Sequence, residues 1–301
     1  MHQNKHKKHI PVLLDAVLQY LEPKEGDSYL DLTAGYGGHA EAVLDRTLNY
    51  QASVVVDRDQ AAIDELRTCF SGHPELPIMH TDFLTATEQL RHEQRQFDLV
   101  LADLGLSSVH LDDASRGFSI NQAAPLDMRM DQRQKLSATT IVNEYGVDDI
   151  VDILHRYGEE PKARRIAKLI VQNRPINDTA ELARIVSKAW PGYSRVHPAT
   201  RTFQALRIAV NDELAMLQKA LTEWTELLAS GGRIAVISFH SLEDRLVKHA
   251  FAERSHNVYE ASLSLLTKRP VTASRDELVF NPRARSAKLR AAVKIKNRKE
   301  L

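Results

Sequence analysis

The 301-residue chain has one cysteine, Cys69, so it holds neither an internal disulfide nor a multi-cysteine zinc site, and this is the usage of a reducing compartment. No metal site is expected. Nowhere does it carry the ~18 consecutive apolar residues that a membrane span needs. The N-terminus is basic (Lys5, Lys7, Lys8), but the apolar run behind it is broken by Asp15 and lacks a small-residue cleavage site, which excludes a secretory leader. The chain reads as cytoplasmic. It also lacks net charge: Lys+Arg and Asp+Glu both number 40, so any attraction to a polyanion must come from local clustering. Oligomeric state stays open between monomer and homodimer.

What is present is an ordinary globular composition, 43% apolar and 27% charged, in a chain longer than one typical domain. The first hundred residues alternate short apolar runs with helix-like segments, the pattern of a parallel sheet wrapped by helices. Strands are predicted at Tyr29 to Leu32, Ser53 to Val56, Pro77 to His80 and Leu99 to Ala102, with helices around Ala40 to Asp45 and Gln60 to Phe70. After Leu111 a turn-rich stretch leads into helix-period segments without a convincing strand. The expectation is therefore an α/β domain formed by residues 1–111 and 210–301, interrupted by an all-helical insert at 112–209.

From Thr200, apolar residues recur at spacings of three and four through Leu228, predicting one long helix stopped by Gly231-Gly232. Arg233 to Ser238 reads as a further buried strand. Leu289, Ala291, Val293 and Ile295 alternate with mostly basic residues, predicting a strand with one basic face.

The segment Asp31-Leu-Thr-Ala-Gly-Tyr-Gly-Gly-His39 follows a strand and opens a helix, where closely spaced glycines let a nucleotide-like ligand approach the backbone. Read literally, Gly35-x-Gly37-x-x-Ala40, with Asp57 at the next strand end, also fits a dinucleotide fingerprint, so this turn alone admits both NAD and S-adenosylmethionine. Thr81-Asp82-Phe83 and Ala102-Asp103-Leu104-Gly105 at the ends of the third and fourth strands favour the latter. There an acid or amide can hold the adenine amino group, an aromatic can border its ring, and the fourth strand faces the reacting methyl. For each acid alone the competing explanation is a cap on the following segment.

Together these blocks resemble one bacterial family, the 16S ribosomal RNA cytosine-N4 methyltransferases, which modify a cytosine in the decoding region. The resemblance runs through His9-x-Pro-Val-Leu-Leu14, Thr33 to His39, Asp103-Leu-Gly-Leu-Ser-Ser108, Arg116-Gly-Phe-Ser119 and Pro125 to Asp131. It continues in Gly158-Glu-Glu160, Phe203 to Ile208, Ser238 to Arg245 and Asn281 to Arg290. It implies a class I (Rossmann-like) methyltransferase sheet with an inserted helical domain for substrate recognition, S-adenosyl-L-methionine as cofactor, and 16S rRNA or the small ribosomal subunit as partner. It implies that Gly37, Gly38 and His39 meet the methionine end of the cofactor, Asp57 the ribose, Phe83 the adenine, and Asp103 the reactive end. Where the family commonly has Pro-Gln after the paired serines, this chain has Val109-His110, and His110 can still hydrogen-bond near the cofactor.

Methyl transfer is an in-line displacement in which the protein positions and polarises the nucleophile. A cytosine amine is a poor one because its lone pair is delocalised, so an acceptor on its N–H is needed, and Asp103 is the candidate by position. Phe118, in a polar turn-rich segment, either stacks on an extruded base or anchors the domain junction. His240, with Glu243, Asp244 and Arg245, either contacts substrate or braces a helix start at Ser241. From Asn281 to Lys299 there are eight Lys or Arg and no acid, which makes Arg283, Arg285, Lys288 and Arg290 candidate phosphate contacts. The rival readings are an NAD-dependent oxidoreductase and a non-enzymatic RNA-binding assembly factor.

Overall fold

The computed structural model describes residues 11–105, 114–120, 122–192, 196–255 and 261–295. The chain divides into two compact units, Met1–Gly105 with Met216–Leu301, and Leu106–Ala215. No helix among the described residues is long and apolar enough to cross a membrane.

The strands are β1 (Tyr29–Asp31), β2 (Val54–Asp57), β3 (Ile78–His80), β4 (Phe97–Asp103), β5 (Leu228–Ser238), β6 (Leu263–Leu265) and β7 (Lys288–Lys294). In chain order the helices begin with α1 (Leu14–Leu21), α2 (Gly38–Thr47), α3 (Gln60–Cys69) and α4 (Phe83–His92). The next are α5 (Ala138–Glu144), α6 (Val147–Gly158), α7 (Ala163–Gln172), α8 (Thr179–Ser187) and α9 (Thr200–Asn211). The last are α10 (Glu213–Trp224), α11 (Ser241–Glu253) and α12 (Arg275–Phe280).

The sheet order is β3-β2-β1-β4-β5-β7-β6. All pairings are parallel except those of β7, which runs antiparallel to β5 and β6. This is the Rossmann-like sheet expected. Its strands are apolar on both faces because helices cover both. Leu99, Leu101, Ala235 and Ile237 pack with Val17, Leu21, Val43 and Ile63 on one face. Val100, Ala102, Ile234 and Val236 pack with Leu90, Leu221, Trp224 and Phe251 on the other. The order reverses between β2 and β4 around β1, so the C-terminal ends of β1 and β4 border the crevice where such sheets bind ligands.

The structure corrects two of the predicted elements. The long helix from Thr200 is two helices, because Asp212 takes a left-handed conformation (φ 49°) between α9 and α10. Gly231 and Gly232 do not stop it; they lie inside β5, where the pairing with β4 shifts register and a Cβ on Gly232 would sit 2.9 Å from Phe97 O.

The helical unit has its own core, in which Leu126, Ile141, Ile150, Leu154, Ile166, Leu182 and Leu206 are buried. Several of the sequence blocks hold it together. Arg116 is buried and donates from Nη2 to Arg129 O and Met130 O at 3.0 and 2.9 Å. Asn211 accepts from Met130 N–H and donates to Met128 O, both at 2.8 Å. Gly117 has φ 73°, and a Cβ there would lie 2.1 Å from Pro125 O. Both the conformation and the space therefore require glycine. Gly117→Ala is expected to destabilise this unit by about 2–3 kcal/mol, read as a lower urea midpoint and faster amide exchange in α5 to α9.

Candidate functional site

The parallel strands deliver their last residues to one edge, and several of those residues are acids. Asp31 ends β1 and is 1% exposed; it accepts from Tyr29 O–H at 2.8 Å and Thr33 N–H at 3.1 Å. Asp57 ends β2 and accepts from Gly35 N–H and Asp59 N–H, both at 2.8 Å. It is not the helix cap: Asp59 caps α3 by accepting from Ala61 N–H. Asp103 ends β4, its N–H donating to Thr33 Oγ1 at 2.6 Å. Its Oδ1 is buried and has no hydrogen-bond partner among the described residues, while Oδ2 lies 3.7 Å from His39 Nδ1.

His39, on the first turn of α2, is 7% exposed, and its Nε2 bonds Val12 O at 2.9 Å. A carbonyl only accepts, so Nε2 carries the hydrogen and Nδ1 is the nitrogen turned toward Asp103. The fourth acid, Glu243, is 2% exposed and accepts from Phe239 N–H at 2.8 Å and His240 N–H at 3.2 Å just beyond the end of β5.

Crowding sets the electrostatics. Burial, then the charges of Asp31 and Glu243, push the Asp103 carboxyl well above the usual carboxylate range. Asp31 is pushed up by burial to about 7, against the pull of the hydrogen bonds from Tyr29 and Thr33, with Asp57 adding to the rise. Burial, and then Asp31, likewise raise the Tyr29 phenol. A carboxylate cluster of this kind is relieved by a cation.

The glycine turn provides room beside it. A Cβ on Gly35 (φ 53°) would meet nothing within 4 Å, so the turn opens there. At Gly37 a Cβ would crowd Leu66 and Phe70 at 3.2 and 3.3 Å, and at Gly38 it would lie 2.7 Å from Pro11. These two glycines are thus required by packing as well. Phe83 opens α4, with its ring edge-on to Trp224 at 5.7 Å. Trp224 in turn donates to Thr87 Oγ1 at 3.1 Å, and Asp82 caps α4 through Leu84 N–H and Thr85 N–H.

The other predicted residues separate. His110, with Ser107 and Ser108, lies outside the described residues. Phe118 is 7% exposed within the helical core, a packing position rather than an exposed stacking platform. His240, not Ser241, is the N-cap of α11, its side chain accepting from Glu243 N–H while Glu243 returns a bond to the cap backbone. The basic-face expectation for the last strand is corrected. β7 lies between β5 and β6, and Arg290, 8% exposed, is bonded to Asp244 at 2.7 Å. Lys288 reaches the same carboxylate at 3.4 Å, and Lys294 donates to Leu228 O at 2.6 Å. Against burial, Arg290 and Lys288 hold Asp244 below its ordinary value. Arg283 and Arg285 remain exposed.

Sequence reasoning did not single out Asp31 or Tyr29, and took Gly35 only as the first glycine of the dinucleotide-like fingerprint. The available signal was that Asp31 occupies at β1 the terminal position that Asp57 and Asp103 occupy at β2 and β4. Because the folded protein holds a proton on Asp31 up to about pH 7 and the unfolded chain releases it near 4, folding is opposed increasingly as pH rises through that window. Relative to Asp31→Asn, the wild type is expected to lose thermal stability between pH 4.5 and 7.5; parallel melting curves across that range would show that Asp31 is not so perturbed.

Comparison with known proteins places this geometry in a family. Residues 6–295 match the MraW methylase family. Ribosomal RNA small subunit methyltransferase H of a Cyanothece species is 48% identical over 288 residues, covering 95% of each chain. The protein of the same name from Acidobacterium capsulatum is 44% identical over 299 residues, covering 96% of this chain and 99% of its own. Among solved structures, a putative methyltransferase from Streptococcus mutans in complex with SAH aligns with TM-score 0.45 at 10% identity, covering 95% of this chain and all of that one. With a family match that spans nearly the whole sequence, the chain belongs to the MraW methylase family.

Proposed function

We propose that the protein is an S-adenosylmethionine-dependent methyltransferase that methylates the exocyclic N4 amine of a cytosine in the decoding region of 16S rRNA. The observation that carries the cofactor choice is the cluster of raised-pKa acids, Asp31 and Asp103, beside a glycine turn that opens at Gly35. A ligand with a sulfonium and an ammonium group is drawn to such a cluster, whereas a dinucleotide pyrophosphate is repelled by it. In this reading Asp57, oriented by Gly35 and Asp59, takes the ribose and Phe83, edge-on to Trp224, borders the adenine.

When bound, S-adenosylmethionine supplies an electrophilic methyl group on a sulfonium leaving group. The residues of this chain then have to orient the amine and handle its proton. Asp103 Oδ1, buried and without a partner among the described residues, is the free acceptor at the site. A hydrogen bond from the amine to it localises the nitrogen lone pair toward the methyl and gives the departing proton a place to go. The raised pKa of Asp103 matches that second task, because a more basic carboxylate is a better proton acceptor. His39 Nδ1 lies 3.7 Å from Oδ2, too far for a hydrogen bond. The support for an rRNA acceptor is that relatives at 44–48% identity are ribosomal RNA small subunit methyltransferases H. The target base must leave its stack to reach the crevice, and the helical unit is the part assigned to substrate recognition.

Three measurements test this reading. In calorimetry the protein should bind S-adenosylmethionine and not NAD. Transfer of labelled methyl to small ribosomal subunits, with the modified nucleoside identified by mass spectrometry, should yield N4-methylated cytosine. Asp103→Ala should lower the transfer rate at saturating S-adenosylmethionine by roughly 10²–10⁴-fold and weaken cofactor binding as well, and Asp103→Asn should remove the rise of rate with pH that deprotonation of a raised carboxyl produces. Wild-type turnover in both variants would rule out Asp103 as the acceptor.

A further inference from the structure

The overall charge is zero, and three cations of the basic cluster marked out by the sequence, Lys288, Arg290 and Lys294, are engaged inside the sheet by Asp244 and Leu228 O, while Arg283 and Arg285 stay exposed. The helical unit carries a second positive surface for a polyanionic substrate. Arg164, Arg165, Lys168, Leu169 and Gln172 of α7 line a shallow groove of about 510 Å³. The helix reads Ala-Arg-Arg-Ile-Ala-Lys-Leu-Ile-Val-Gln and holds no acid. Its Ala163, Ile166, Ala167 and Ile170 are buried, while Arg164, Arg165, Lys168 and Gln172 are exposed.

This arrangement works against the helix. Two cations stand in its first turn, where the helix dipole favours acids, and Arg164 and Lys168 face each other across one turn as like charges. Little inside the protein compensates. Arg164 comes within 3.6 Å of Asp148, but both side chains are more than two-thirds exposed, at 69% and 88%, so solvent screens the pair. Arg165 donates to Lys188 O at 3.3 Å, which brings another exposed lysine alongside. Glu160, the acid just before the helix, is 1% exposed and turned inward onto Lys162 N–H at 2.9 Å. By contrast, the neighbouring cations with structural duties are visibly spent: Lys162 lies over the Trp190 ring at 3.8 Å and Arg174 donates to Val142 O at 2.7 Å.

We propose that the exposed face of α7, through Arg164, Arg165 and Lys168, is a docking surface for the phosphate backbone of the RNA substrate. The inference rests on the reading of the protein as an rRNA methyltransferase and adds to it the surface that grips the RNA. Exposed guanidinium groups match phosphate oxygens bidentately, Lys168 adds a point charge, and Gln172 extends the face with a neutral donor. Contacts made to phosphate carry no base identity, so the face sets affinity and register and leaves base choice to the crevice.

The test is the salt dependence of binding to a labelled 16S rRNA transcript. Each phosphate contact contributes ~0.7 to ~0.9 to the slope of log K against log salt, so the triple variant R164Q/R165Q/K168Q should reduce that slope by about 2 to 3. Methyl transfer should show a raised KM for RNA with kcat and S-adenosylmethionine affinity unchanged, and thermal stability should not fall. The charge-retaining R164K/R165K should keep the wild-type slope. The control K24Q/R67Q/K219Q, equal in charge and exposed on the other unit, should change it by less than 1. A triple variant whose slope and KM match those of the control overturns the proposal. Failure of the wild type itself to transfer methyl to the subunit is the separate result that overturns the functional reading, and the docking surface with it.

Discussion

The structure of the α/β unit turns on one electrostatic constraint: parallel strands end along one line, and four of the residues brought to that line or just past it are carboxylates. Asp31, Asp57, Asp103 and Glu243 stand near one another, and burial makes charge costly on Asp31 and Asp103. Three of them are tied down by bonds from neighbouring groups. Tyr29 O–H and Thr33 N–H hold Asp31, Gly35 N–H and Asp59 N–H hold Asp57, and Phe239 N–H and His240 N–H hold Glu243. Asp103 alone keeps a buried oxygen without a partner among the described residues. Among these four carboxylates the one proposed to react is thus the one with an unsatisfied buried oxygen.

The same constraint governs the local backbone. The turn after β1 must place Gly35 N–H on Asp57 and then enter α2 with His39 aimed at Asp103. Left-handed conformations at Gly35 and Gly37 make this possible in a few residues. His39 also anchors the turn to the segment before α1 through Val12 O, and Leu13 N–H is held by Glu277 of α12 at 2.7 Å. Segments far apart in sequence thereby converge on the end of β4.

The helical unit follows a different logic. Its blocks of polar and glycine residues are packing devices: Arg116 and Asn211 satisfy carbonyls of the segment before α5, and Gly117 and Gly158 allow backbone to pass where a Cβ would collide. The outer face of α7, by contrast, is exposed. Motifs that look catalytic in a linear sequence are here spent on holding an irregular segment in place, while an unremarkable helix carries the exposed charge.

The sequence by itself determined the parallel α/β sheet, the strand–turn–helix at Thr33 to His39, the helical character of the insert, and the terminal acids Asp57 and Asp103. These follow from hydrophobic period and glycine chemistry, which act between residues close in the chain. Tertiary structure decided the rest. The alternation in Leu289 to Ile295 correctly signals a strand, but only its place between β5 and β6 buries Arg290 and pairs it with Asp244, 46 residues away. The apolar stripe from Thr200 gives no warning of the break at Asp212, because a left-handed residue leaves the spacing on either side intact. The raised pKa values of Asp31 and Asp103 depend on how near separate strand ends come and how much water they lose. Charge and burial are sums over neighbours in space, and a linear sequence records only neighbours along the chain.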